Sequence, residues 1–211
     1  FKSILIIVFF SLLITSCSDP NEDDLVQRGG APLLSGLGTH EHKISTEIPG
    51  AQRYFNQGLV LSFAFNHAES IRSFKAAQKL DPSCAMCYWG EALSRGPNIN
   101  VTSDGKVVMS DNDRLEAFKA IERAKELMSS STLKEQDYII ALSSRYNGQV
   151  GTDRSVLDRK YAQSMEELSR KYPDDMDASS LFAESLMNTM PWNYWAEDGN
   201  PKPDTVKVIN S

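Results

Sequence analysis

The chain has 211 residues, 41% of them hydrophobic and 24% charged, with a formal net charge of −6. That is enough chain to bury a core without cross-links, and the composition excludes wholesale disorder. The acidic balance gives no footing for nucleic acid as a partner.

Lys2 precedes an apolar run over residues 4–14, the length of a signal-peptide hydrophobic region and too short to span a bilayer. Ile14, Thr15, Ser16 and Cys17 follow, an aliphatic residue and two small ones before a cysteine. This resembles the bacterial lipoprotein processing site. The resemblance implies removal of residues 1–16, lipid on the Cys17 thiol and a stable anchor of several acyl chains in the bilayer. An ordinary cleaved leader with an incidental cysteine is the competing account. Ser18 after the lipidated position, in place of Asp, favours the outer membrane. Residues 17–38 are rich in Asp, Asn, Gly, Pro and Ser and are read as a flexible tether, because they carry too little apolar surface to offset their ordering entropy.

Residues 39–190 are expected to form the folded domain. Tyr54, Gly58, Leu61, Ser70, Phe74 and Pro82 fall in the order aromatic, small, bulky, small, Phe, Pro. In that spacing the stretch resembles the 34-residue tetratricopeptide repeat. The apolar positions predict a helix over residues 51–66 and a partner over 67–80, with Asp81 as N-cap and Pro82 opening the next helix. Gly58 fits a place where a neighbouring helix approaches closely. Tyr88 and Ala92 keep the register of Tyr54 and Gly58 one repeat later. Gly96-Pro97 then ends that helix, and residues 96–110 are an insertion in which Asp104-Gly105 signals a small hairpin. Helices are expected again after Asp111, from Leu133 behind Ser131 or Thr132, after Thr152 or Asp153, and from Asp175 to about Met190.

Residues 191–211 begin with Pro191-Trp192-Asn193-Tyr194-Trp195. Either a turn that seals the last helix or an aromatic partner site accounts for that cluster. The polar tail after Asp198 contributes nothing, and the array is expected to continue past Ser211.

The fold class is therefore all-α: antiparallel helical hairpins stacked as a tetratricopeptide-like solenoid. That resemblance implies a scaffold which holds a protein or peptide partner in its groove, and the lipoprotein resemblance places it in the cell envelope, facing the periplasm. The groove residues it implies are Asn56, Phe63, Asn66, Tyr88, Glu91 and Arg95. No Ser-His-Asp order, phosphate loop or HExxH occurs, so no enzymatic activity is expected.

A second class of function rests on Cys84 and Cys87, which share one face of a helix start. Covalent haem attachment needs His after the second cysteine, where Tyr88 stands. Thioredoxin-like exchange needs a preceding strand, and the flanks here are helical. An exported chain permits a disulfide. Metal binding needs further ligands, and His67, His40 and His42 are the candidates. His67 and Cys84 begin successive helices, so they lie at opposite ends of one helix roughly 20 Å long. His40 and His42, two residues apart, point to one side of an extended chain. Apart from such a metal, no cofactor is expected.

Overall fold

A computed structural model describes residues 20–151 and 153–211. The expected leader, the lipid-accepting Cys17 and Thr152 lie outside them. The described residues form nine α-helices and one two-stranded hairpin, an all-α fold. Among them no helix is long and apolar enough to cross a membrane.

After α1 (Pro20–Gly29) come α2 (Pro49–Phe63), α3 (His67–Leu80) and α4 (Ala85–Ser94). Phe74 of α3 is the wedge between α2 and α4. A Cβ added at Gly58 would lie 2.9 Å from the Phe74 ring, and one added at Gly90 would lie 2.2 Å from it. Neither position tolerates a side chain, so both glycines serve close packing despite the ~1 kcal/mol each costs in helix propensity. Ser70 ties the same three helices: its hydroxyl donates to Gly58 O at 2.6 Å and lies 2.7 Å from Ser94 Oγ. Asp81 does not cap α4. Its carboxylate instead accepts from Ser83 N and Oγ, forming a turn that delays the helix to Ala85, behind Cys84.

The insertion carries β1 (Thr102–Ser103) and β2 (Lys106–Val107), antiparallel. Asp104 and Gly105 sit at φ 51° and 70°, the left-handed pair a two-residue hairpin turn requires. Four helices follow: α5 (Asp111–Leu127), α6 (Leu133–Ser143), α7 (Ser155–Lys171) and α8 (Met176–Thr189). Ser110, Thr132 and Asp175 cap α5, α6 and α8 with their side chains, and Thr132 forms a reciprocal capping box with Glu135. Arg154 stands at the N-cap of α7 and makes no side-chain cap bond. Consecutive helices from α2 to α8 pack on one another in chain order, and α4 also touches α2 and α6.

Two expectations need correction. Residues 20–38, read as a tether, are helix and packed strap: α1 lies on α3, and Ala31 is buried. The reason is polar pairing with α2. Tyr54 Oη donates to Ala31 O at 2.5 Å, Gln57 Nε2 to Pro32 O at 3.0 Å, and Leu34 N to Gln57 Oε1 at 2.8 Å. The tail also contributes structure, as α9 (Pro203–Asn210), which packs on α8 and buries Thr205 against Tyr194 O.

Candidate functional site

Residues 39–46 cross the molecule as an extended strap between α2, α6 and α8. Burial alternates along it: His42 and Ile44 are buried while Glu41, Lys43 and Ser45 are exposed, the period of a strand. On the α2 side, Gln52 donates to His42 O at 2.9 Å and accepts from Ile44 N at 3.0 Å, while Asn56 accepts from His42 N at 3.3 Å. On the α6 side, Glu135 accepts from Ser45 N at 2.6 Å and Ser45 Oγ at 2.5 Å, in addition to Thr132 N at 2.8 Å. Burial pushes the Glu135 carboxyl up, but the hydrogen bonds from Ser45 and Thr132 outweigh it and hold the group below its usual range. Thr46 is anchored in the same way, its hydroxyl donating to Asp81 at 2.5 Å.

His42 is the centre of this arrangement. Its ring packs edge-on to Tyr138 of α6 and lies 5.9 Å from Phe55 of α2. Nδ1 donates to Asp177 Oδ2 at 2.6 Å, at the start of α8. His40 reaches the other oxygen of the same carboxylate, Nε2 to Oδ1 at 3.1 Å. Two imidazoles thus meet one aspartate that lies 135 residues from His42 in sequence. Asp175 joins them: one ligand atom from each of His42, Asp175 and Asp177 falls within 4.8 Å of the others. A cavity of about 630 Å³ opens beside the cluster, with Lys43, Lys134 and Lys171 on its walls. Lys134 pairs with Asp175 at 2.8 Å and Lys171 with Asp137 at 2.6 Å.

A second cavity, about 450 Å³, lies toward the other ends of α2, α4 and α8. Phe63, Phe65, Leu93, Pro97, Leu181 and Met187 give it an apolar lining. Its polar residues are His67, Arg145 and Glu184. Both His67 ring nitrogens, Arg145 Nε and Glu184 Oε2 are shut from solvent without a hydrogen-bond partner. Burial, reinforced by the Arg145 charge, holds His67 below its ordinary value, so the ring is neutral at pH 7. Burial pushes Glu184 up against the pull of Arg145 and Asn188. Arg145 itself is fixed by Pro97 O at 2.8 Å and lies over the Tyr161 ring at 4.6 Å. Phe65, at φ 59°, turns the chain between α2 and α3 and places its ring edge-on to His67.

The expected groove residues divide between these surroundings and the interior. Asn56 holds the strap and Phe63 lines the apolar cavity. Asn66 is exposed in the turn before α3. Tyr88, Glu91 and Arg95 line neither cavity. Glu91 is buried against Gln78 at 2.8 Å and Lys75 at 3.4 Å of α3, and Arg95 bridges it to Asp113 of α5. Tyr88 packs under the Arg123 guanidinium of α5.

Cys84 and Cys87 form a disulfide at the start of α4, and both are buried. Oxidised and covered, they offer neither a thiolate to a metal nor an exposed bond to a reductant. His40 and His42 meet Asp177, and His67 lies in the apolar cavity, so the expected set of cysteines and histidines is not brought together. Sequence reading gave Asp175 only as the start of a helix and missed Asp177, Glu135, Arg145 and Glu184 as site residues. Nothing local marks a site role for them, because the strap and the facing helices that meet them come from segments far away in the chain. No protein-family model, curated protein or solved structure matches the chain.

Proposed function

We propose that the chain is a lipid-anchored envelope scaffold of tetratricopeptide-like hairpins that captures an extended peptide segment of a partner protein. Helices packing in chain order, with α4 against both α2 and α6, support the stacked arrangement. One observation carries the binding mode: the groove already accommodates an extended segment, the chain's own residues 39–46, through side-chain amides and carboxylates that pair with its backbone. Beyond the strap, the apolar cavity at Phe63, Leu181 and Met187 suits a bulky side chain of a partner segment running on in the same direction. Its volume lies within the few hundred Å³ common for ligand sites. The polar atoms of His67 and Glu184 give such a side chain hydrogen-bonding groups to reach.

Peptide display against the purified protein tests this. Enriched sequences should carry one large aliphatic or aromatic residue. Phe63→Ala and Met187→Ala should each weaken a selected peptide about ten-fold, the loss of roughly 1.4 kcal/mol of apolar contact. Failure to enrich any peptide, or peptides indifferent to both substitutions, overturns the reading. Binding of a small apolar dye that no peptide displaces would assign the cavity to small molecules instead.

A further inference from the structure

We propose that His40, His42 and Asp177 form a site for a divalent transition-metal ion, with Zn²⁺ as the reference ion, which pins the strap to α8. This is independent of what the apolar cavity takes. Two imidazoles and a carboxylate are the donor set that favours zinc and its first-row neighbours over magnesium or calcium, whose sites are built from oxygen alone.

The geometry is close to what such an ion requires. Two ligands on one tetrahedral zinc lie about 3.3 Å apart. The ligand atoms of His42, Asp175 and Asp177 fall within 4.8 Å of one another; His40 stands outside that group, with Nε2 3.1 Å from Asp177 Oδ1, and its exposed ring must swing toward His42 to close the site. The 2.6 Å bond from His42 Nδ1 to Asp177 Oδ2 is a hydrogen bond, so that contact must lengthen by about 0.7 Å as the ion replaces the shared proton. The displaced proton has a place to go. The neutral imidazole then carries its hydrogen on Nε2, which is buried with no acceptor, a cost that the metal bonds must exceed.

Placement of the ligands supports a built site over a chance encounter. His42 is 6% exposed and wedged between Phe55 and Tyr138, which fix its ring. Asp177 is 8% exposed, at the first turn of α8. The charged groups around the cavity set the competition. Glu41 and Asp174 add negative charge, while Lys43, Lys134 and Lys171 oppose it. Lys171 is engaged with Asp137, and Lys134 with Asp175. Asp175 can therefore become the fourth ligand only by releasing Lys134; otherwise water completes the shell.

Titration of the chelator-stripped protein with Zn²⁺, by calorimetry and elemental analysis, tests the proposal. One ion per chain at micromolar affinity or tighter is expected, with no comparable binding of Mg²⁺. Asp177→Asn and His42→Ala should weaken binding at least a hundred-fold. His40→Gln alters an exposed ring and leaves folding intact, so it guards against a trivial loss; it should weaken binding at least ten-fold. Lys134→Met should tighten binding several-fold, and Zn²⁺ should slow amide exchange in residues 39–46. Sub-stoichiometric zinc, or affinity unchanged in His40→Gln, overturns the assignment.

Discussion

The strap end and the apolar end of the molecule follow different plans. At the strap end most polar groups are matched across long sequence distances, Glu135 with Ser45, Asp177 with His40 and His42, Asp81 with Thr46, and among the described residues there only His42 Nε2 and Tyr138 Oη are buried without a hydrogen bond. At the apolar end, hydrophobic walls surround both ring nitrogens of a neutral histidine and a carboxylate oxygen that have no hydrogen-bond partner. Satisfied polar groups hold a segment in one arrangement. Unsatisfied ones in an apolar setting cost stability and are retained where something else must be bound. On the proposed function, the difference assigns one end to holding the chain and the other to receiving the partner segment.

Substitutions should separate the ends. Phe55→Ala should have the largest effect. The ring is fully buried against Phe74, Trp89 and His42, and its loss should cost about 3–5 kcal/mol in a denaturant titration. Glu135→Ala comes next. It removes the hydrogen bonds to Ser45 and the capping box of α6, and should cost about 2–4 kcal/mol, with faster amide exchange at Ser45. At the apolar end the sign should reverse. Glu184→Gln, which removes a carboxylate pushed toward its neutral form, should raise stability by about 1 kcal/mol at pH 7. A loss in that variant would show that the bond Glu184 Oε1 accepts from Asn188 outweighs the burial of its unpartnered Oε2, and would erase the contrast.

The smallest expected effect is in the pH dependence, where the ends should again oppose each other. Glu135 and Asp81 are held below their ordinary values near 4.5 and 3.8. The unfolded chain takes up those protons first, so their stabilisation is present above these values and is lost as pH falls through the lower folded ones. Glu184 is raised, so its contribution is full below about 4.5 and is lost as pH rises through its higher folded value. Melting curves in a pH series should show the wild type losing stability on both sides. Glu184→Gln should remove only the loss on the alkaline side, and Glu135→Gln should flatten only the acid side.

How far the sequence reveals this depends on how local each cause is. The α3 helix is legible to its last residue, because Ile71, Phe74, Ala77 and Leu80 repeat at helical spacing between a turn and Asp81. The hairpin at Asp104-Gly105 is legible for the same reason, a turn that only a few residue types allow. The strap is not. Its composition is that of a linker, and its order comes from Gln52, Asn56 and Glu135, on helices with no sequence mark of that task. The candidate sites are less legible still. His40 and His42 are visible as a pair, but the aspartate they share is 135 residues from His42 and resembles any helix cap. Gly90, which the Phe74 wedge needs as much as Gly58, lies two residues before the repeat's own small position at Ala92 and so escapes a motif-based reading.

Trp192 sits at φ 60° with its indole N–H on Ile99 O at 2.7 Å, and Ile99 lines the apolar cavity. Trp89 is buried in the core, whereas Trp192 is 67% exposed. The emission of Trp192 is therefore sensitive to water while its indole is hydrogen-bonded to the cavity wall. With Trp195 replaced by Phe, Trp192 becomes a built-in optical gauge: a ligand that covers the mouth at Ile99 shifts its fluorescence to the blue, and occupancy is read without any label.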